Sequence, residues 1–131
     1  MRLLLDTHVA IWAISGNPKL SKIARQLVAD PSAEIFVSAV TIWEIAIKFR
    51  LRGRVVDPIL LSGADAMREF QNAGLVLLPV SPEHAAEVDL LPLHHGDPFD
   101  RLLVAQARHL QLQLLTQDAK LSAYGEFVLV V

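Results

Sequence analysis

The chain begins with the stretch RLLLD (residues 2–6), in which three consecutive leucines lead directly to an aspartate. Such an unbroken apolar run is typical of a strand that is buried on both faces, as in a parallel sheet. Asp6 would then lie at the carboxyl end of this strand, and we expect a helix over residues 7–14. A strand that leads straight into a helix predicts the first half of a β-α-β unit.

Working outward, apolar runs and amphipathic stretches alternate along the rest of the chain. Four more strands are predicted, at residues 34–37, 75–80, 113–116 and 127–131. Five more helices are predicted, at residues 20–29, 39–51, 59–72, 82–91 and 98–110. This alternation predicts an α/β fold, an α/β/α sandwich around a central parallel sheet of four to five strands. We expect residues 1–131 to form a single domain, because this length suits one compact unit.

Composition limits the class of protein. The chain has no cysteine, which excludes disulfide bonds and favours a reducing compartment, so we expect a cytoplasmic protein. Its formal net charge of −2 means that nucleic-acid binding would need a local patch, bound cations or a partner. Hydrophobic residues make up 53% of the chain, which fits a doubly covered sheet or an oligomer interface. No apolar run has the ~18–20 residues of a membrane span, so we expect no membrane association.

Acidic residues follow the ends of the predicted strands. Asp6 comes directly after the first strand, Asp118 lies two residues past the fourth, and Glu44 is in the helix after the second. Asp97 and Asp100 open the helix that leads to the fourth strand. Because sites in open α/β sheets form beyond the carboxyl ends of the strands, these acids are expected to meet at one edge. Clustered carboxylates repel one another and suit Mg²⁺ or Mn²⁺, so the pattern predicts a divalent-metal site.

Each acid also fits a structural role when it is taken alone. Glu44 could pair with Lys48 four residues later, and the acids at the strand ends could cap the turns that follow them. Asp97 before Pro98 has the signature of a helix N-cap, and an acid three residues later is favoured by the helix dipole. We expect capping to be the main role of Asp97, whereas the joint placement of the other acids favours a functional site.

Histidines and basic residues give weaker signals. His94 and His95 are adjacent, point in different directions and lack the spacing of helical metal ligands, so they predict a surface loop. The basic run at residues 48–54 fits either a solvated helix end or a patch that contacts phosphates. The sequence contains no phosphate-binding glycine motif and no G-x-S-x-G motif of serine hydrolases.

Four short motifs, in order and spaced over nearly the whole chain, are shared with a known family. They are LLDTH (residues 4–8), VSAVTIWEI (residues 37–45), DPFDRLLVAQA (residues 97–107) and LTQD (residues 115–118). With these motifs the chain resembles PIN-domain ribonucleases, and more closely the toxin subunits of VapBC toxin–antitoxin modules. The resemblance implies a PIN-like fold, RNA cleavage that depends on Mg²⁺ or Mn²⁺, and a neutralising antitoxin.

The resemblance also implies roles for individual residues. The catalytic, metal-binding acids of the family correspond to four positions: Asp6, Glu44, Asp100 and Asp118. Ser38 and Thr116 match small hydroxyl residues beside the family site, where they would orient carboxylates or water. Asp97 is an additional acid that is common in one subgroup.

The function expected from these features is a metal-dependent endoribonuclease, the toxin of a type II toxin–antitoxin module. The ions would activate a water molecule for in-line attack on an RNA phosphate. We also expect a homodimer that is bound in cells by an antitoxin.

Two alternatives belong to other classes. A haloacid-dehalogenase-type phosphatase also places an aspartate after its first strand, but it normally has a second aspartate two residues later, where this chain has His8. A non-catalytic interaction module with a vestigial site is the other alternative, and the complete set of four acids argues against it.

Overall fold

All five strands predicted from the sequence lie in one sheet. The computed structural model describes residues 1–131, with strands β1 (Arg2–Leu5), β2 (Glu34–Ser38), β3 (Val76–Leu78), β4 (Gln113–Thr116) and β5 (Val128–Val130). Every neighbouring pair is parallel, and the strand order is β3-β2-β1-β4-β5. The predicted parallel sheet is therefore confirmed, with five strands.

Six α-helices connect the strands: α1 (Thr7–Ser15), α2 (Lys22–Ala29), α3 (Ala39–Arg50), α4 (Gly63–Asn72), α5 (Pro82–Glu87) and α6 (Pro98–Leu110). Short 3₁₀ turns cover Arg52–Arg54, Val88–Leu90 and Ala119–Tyr124. The helix predicted over residues 59–72 begins only at Gly63, because the Ser62 hydroxyl accepts a hydrogen bond from the Asp65 N–H and caps the helix there. None of the helices combines the length and the apolar character needed to cross a bilayer.

The leucines of β1 explain why the sheet is covered on both faces. Leu3 and Leu5 belong to one apolar core, to which α1, α2 and α4 contribute, whereas Leu4 points into a second core that contains residues of α6. All three leucines are fully buried. Side chains alternate between the faces of a strand, so a central strand with helices on both sides needs apolar residues at every position.

The strand order places a crevice at the carboxyl end of β1. From β1 the sheet grows through β2 and β3 on one side and through β4 and β5 on the other. Ligand sites of open parallel sheets form at such a reversal of strand order. Asp6, after β1, and Asp118, after β4, lie at the strand ends that flank this crevice.

Candidate active site

The crevice is an acidic cavity of about 300 Å³. Five carboxylates from four different parts of the chain line it: Asp6, Glu44, Asp97, Asp100 and Asp118. The remaining lining residues are Thr7, His8, Trp12, Lys48 and Gln117. The structure thus brings together the acids that the sequence analysis expected to meet at one edge of the sheet.

Asp6 is buried, and both of its carboxylate oxygens have a donor from the protein. Oδ1 accepts a hydrogen bond of 2.9 Å from the Val9 N–H and caps α1, while Oδ2 accepts one of 2.5 Å from the Thr116 hydroxyl. Burial raises the pKa of Asp6, although these two hydrogen bonds act in the opposite direction. Since a carboxylate oxygen can accept two bonds, each oxygen retains a lone pair for a cation.

Glu44 is buried as well and is held by a chain of hydroxyl groups. The Thr7 hydroxyl donates to Oε1 at 2.7 Å, and the Thr41 hydroxyl lies 3.2 Å from that of Thr7. Lys48 contacts the other oxygen, Oε2, at 2.5 Å. The pairing with Lys48 therefore forms as the spacing suggested, but Glu44 faces the cavity and is only 4% exposed, so it does not belong to a solvated helix face.

Asp97 and Asp100 have different environments although they are three residues apart. The Asp97 side chain accepts hydrogen bonds from the N–H groups of Phe99 and Asp100, at 2.8 and 3.3 Å, and caps α6 as predicted. Burial first, and then the negative charges of Asp97, Asp6 and Glu44, together raise the pKa of Asp100 to about 7. The carboxylates of the cavity therefore behave as one cluster that favours a proton or a cation.

Asp118 is anchored on both oxygens, and one of the anchors is a histidine. Oδ1 accepts a hydrogen bond of 3.0 Å from the Lys120 N–H, and Oδ2 lies 2.9 Å from Nε2 of His95. Burial acts to raise the pKa of Asp118, but the hydrogen bonds from Lys120 and His95 outweigh it, and the pKa is lowered. His95 Nε2 is also 3.6 Å from Oδ2 of Asp100, so the imidazole lies between the two acids.

His95 corrects the sequence analysis. The prediction of a surface loop holds for His94, which is exposed and contacts the Tyr124 ring edge-on at a centroid distance of 5.1 Å. His95 lies in the same loop, as predicted, but its side chain is not at the surface: it is only 15% exposed and lies among the acids. The contact between His95 and Asp118 joins residues that are 23 positions apart. The only signal for it in the sequence is that His95 lies two residues before Asp97.

The two hydroxyl residues expected beside the site differ in position. Thr116 accepts a hydrogen bond of 3.0 Å from the Asp118 N–H and donates to Asp6, so it links two of the acids. Ser38 does not orient a carboxylate: its hydroxyl donates to Gln106 Oε1 at 2.5 Å and accepts from the Val40 N–H at 3.0 Å. Ser38 is the N-cap of α3, its side chain contacts Gln106 of α6, and it does not line the cavity.

The donor set fits a divalent cation. Oxygen donors from several carboxylates, with lone pairs left after their hydrogen bonds, are the ligands that Mg²⁺ and Mn²⁺ prefer. One atom each from His95, Asp100 and Asp118 already lies within 4.8 Å of the others. Burial, and after it the charges of the neighbouring acids, raise the pKa of Asp100, and both effects oppose an uncompensated negative charge at this part of the cavity.

The five-stranded parallel sheet and the acidic cavity at its edge can be compared with known protein families, and the sequence matches one of them. Residues 3–126 match the PIN domain, and the chain belongs to the PIN-domain family. It is 30% identical over 124 residues to Ribonuclease VapC22 of Mycobacterium tuberculosis, an alignment that covers 93% of this chain and 91% of that protein.

Solved structures with the same fold include two toxin–antitoxin complexes. VapBC2 from Rickettsia felis, bound to a DNA fragment from its promoter, matches with a TM-score of 0.69 and 14% identity over 100% of this chain and 98% of that chain. A toxin–antitoxin complex from Klebsiella pneumoniae matches with a TM-score of 0.66 and 18% identity over 98% of this chain and 96% of that one. These similarities confirm the expected PIN-like fold.

Proposed function

We propose that this protein is a metal-dependent endoribonuclease and the toxin of a type II toxin–antitoxin module. The observation that carries the proposal is the convergence of Asp6, Glu44, Asp100 and Asp118 on one cavity at the reversal of strand order. The relative from M. tuberculosis is named as a ribonuclease. Membership of the PIN-domain family supports a nuclease over the haloacid-dehalogenase-type phosphatase that the position of Asp6 also allowed.

In this proposal the four acids hold Mg²⁺ or Mn²⁺, directly or through water. The bound ion supplies Lewis-acid activation of water and neutralises charge at the scissile phosphate. Thr116 and the Val9 N–H orient Asp6, and Thr7 orients Glu44, so that the lone pairs left on these carboxylates are fixed in direction. Such fixed ligands reduce the reorganisation that ion binding requires.

Basic residues beside the cavity offer a path for the RNA backbone. Lys48 lines the cavity, and Arg50, Arg52 and Arg54 follow it on the exposed end of α3 and the next turn. The Arg52 guanidinium lies over the Phe49 ring, 4.0 Å from its centroid, and donates to the Phe49 carbonyl at 2.9 Å. A local patch of this kind compensates for the net charge of −2 when a polyanion is bound.

We further propose a cytoplasmic homodimer whose site is covered in cells by an antitoxin. Two relatives of known structure are toxin–antitoxin complexes, and Val56, Leu60 and Leu93 are 98%, 74% and 81% exposed. Lys48 already neutralises Glu44, so an antitoxin Arg or Lys could enter the cavity in the same way. Light scattering tests the dimer, and a strict monomer at micromolar concentration would contradict it.

Metal removal tests the enzymatic part of the proposal. A chelator should abolish cleavage of a structured RNA by the purified protein, and addition of Mg²⁺ or Mn²⁺ in excess of the chelator should restore it. The substrate should carry a 5′ label and a 3′ label in separate reactions. An internal cut gives a 5′ fragment and a 3′ fragment whose lengths add up to that of the substrate, whereas an exonuclease releases the label of one end as a mononucleotide. Full cleavage in excess chelator would disprove the mechanism.

A further inference from the structure

We propose that His95 is a positioning residue: its Nε2–H holds Asp118 in the orientation that binds the cation, while the imidazole itself does not bind the ion. The inference rests on the proposed metal-dependent function and adds a residue to it. His95 is the only nitrogen donor among the three residues whose ligand atoms lie within 4.8 Å of one another, so its role must be decided between ligand and support.

Hydrogen bonds around the ring determine which nitrogen carries the proton. Nδ1 of His95 accepts a hydrogen bond of 3.0 Å from the Asp97 N–H, so Nδ1 must present a lone pair. The neutral ring then carries its proton on Nε2, which donates to Oδ2 of Asp118 at 2.9 Å. A nitrogen ligand needs its own lone pair directed at the metal. While the Asp97 N–H is bound to Nδ1, Nε2 is a donor and cannot act as a ligand.

The segment that carries His95 is fastened in place. The His95 N–H donates to the Tyr124 hydroxyl at 3.1 Å, and that hydroxyl also accepts from Arg101 at 3.0 Å. Arg101 makes a further bond of 3.0 Å to the Pro92 carbonyl. The loop before α6 is thereby tied to the turn that follows Asp118, both through Tyr124 and through the imidazole. This double attachment fixes the distance between the ring and the carboxylate.

Asp118 needs such support more than the buried acids do. Its side chain is 36% exposed and lies on a turn outside the sheet. The surrounding atoms therefore restrain the Asp118 side chain less than they restrain the buried Asp6 side chain. Thr116 donates to Asp6, Thr7 donates to Glu44, and His95 donates to Asp118. Three of the four acids therefore have a side-chain donor, with Lys48 as a second donor to Glu44, and His95 supplies the donor for the most exposed of the three.

The tautomer of His95 in solution separates the two roles directly. Long-range ¹H–¹⁵N spectra of the ring should show the proton on Nε2 in the metal-free protein and again at saturating Mg²⁺. A shift of the proton to Nδ1 on addition of Mg²⁺ would identify His95 as a ligand and overturn the proposal. This measurement uses the unaltered protein and does not depend on cleavage activity.

Variants measure how much the positioning contributes. His95→Ala should weaken Mn²⁺ binding about 10–100-fold, which is the usual loss when a hydrogen-bond partner of a metal ligand is removed. Electron paramagnetic resonance of the free ion measures this affinity. His95→Gln retains an N–H of similar reach and should recover part of that affinity. The matched control is His94→Ala, which removes the adjacent exposed histidine and should bind Mn²⁺ as the unaltered protein does.

A double variant tests whether His95 acts through Asp118. In an Asp118→Asn background, His95→Ala should cause little further loss of Mn²⁺ affinity, because effects of residues in one pathway are not additive. Unchanged Mn²⁺ affinity in His95→Ala would overturn this inference but not the proposed function. The same holds if the losses of Mn²⁺ affinity in the two single variants add fully in the double variant. Absence of divalent-ion binding by the unaltered protein would instead overturn the proposed function, and this inference with it.

Discussion

The four acids form two pairs that the protein holds in different ways. The inner pair, Asp6 and Glu44, is buried and receives hydrogen bonds from threonines on or beside the core elements. The outer pair, Asp100 and Asp118, is partly exposed, with side-chain exposures of 22% and 36%. His95 is the basic side chain that lies close to both of these carboxylates. The carboxylates of the inner pair are therefore held rigidly, whereas those of the outer pair have more freedom to move.

Charge differs between the two members of the outer pair as well. Burial and the neighbouring acids raise the pKa of Asp100 to about 7, whereas hydrogen bonds lower the pKa of Asp118. At neutral pH the metal-free cavity thus has one acid that is readily protonated beside one that stays ionised. In the proposed function the inner pair would set the position of the cation, while Asp100 would respond to whether the cation is present.

The largest expected effect comes from breaking the inner pair. Asp6→Asn should reduce RNA cleavage more than about 100-fold, because loss of a partner of a ligand already costs about 10–100-fold and Asp6 is proposed as a ligand itself. Single-turnover cleavage with RNA in defined Mn²⁺ is the measurement. Glu69→Gln removes an exposed carboxylate of α4 and should cleave normally. Cleavage by Asp6→Asn within tenfold of the unaltered protein would refute its assignment.

Next in size is the contrast between Asp97 and Asp100. Asp97→Ala removes the N-cap of α6 and should lower the free energy of unfolding by about 0.5–2 kcal/mol, with only a secondary effect on cleavage. Asp100→Asn should instead lower cleavage steeply and reduce the increase in melting temperature that Mn²⁺ gives, since ligand stabilisation follows affinity. Thermal melts with and without Mn²⁺, paired with cleavage assays, check both. If Asp97→Asn abolishes cleavage while Asp100→Asn retains it, the two roles are exchanged.

The smallest expected effect is a pH dependence of the metal-free protein. Folding raises the pKa of Asp100 from 3.8 to about 7, so its ionisation opposes folding. The stability associated with protonated Asp100 is complete below about pH 4 and is lost as pH rises through 7. The full shift would cost roughly 3 kcal/mol between about pH 4.5 and 8, but solvent screens this partly exposed carboxyl. Relative to Asp100→Asn, the unaltered protein should therefore lose about 1–2 kcal/mol over this range, measured by urea unfolding in chelator. Parallel curves for the two proteins would show that Asp100 carries no such penalty.

Much of the fold could be predicted because the buried strands are chemically distinct. The leucines of β1 and the alternation of strands and helices indicated a parallel sheet, and strand ends followed by Asp6 and Asp118 indicated the edge of the site. Helix α4 was predicted too long at its start, because apolar residues such as Ile59 and Leu61 pack against the core from an irregular segment. Apolar patterning reports burial and does not distinguish a helix from a packed loop.

Side-chain contacts between distant segments were the part that sequence patterns missed. His95 reaches Asp118 from a loop that is bonded to Tyr124, which Arg101 also contacts, and neither spacing nor composition records those bonds. Ser38 was expected beside the carboxylates, but its rotation into the N-cap of α3 turns it toward Gln106. Both outcomes depend on the direction of one side chain, which a one-dimensional pattern does not contain.

A Mn²⁺ titration in which binding and cleavage are read from the same samples tests the central claim most directly. Free Mn²⁺ would be followed by electron paramagnetic resonance while cleavage of a labelled RNA is measured at each concentration, for the unaltered protein and for Asp6→Asn. We expect the two curves of the unaltered protein to rise together, and Asp6→Asn to lose both. RNA cleavage in samples without bound ion, or undiminished Mn²⁺ binding by Asp6→Asn, would contradict a cation held by these acids as the source of the activity.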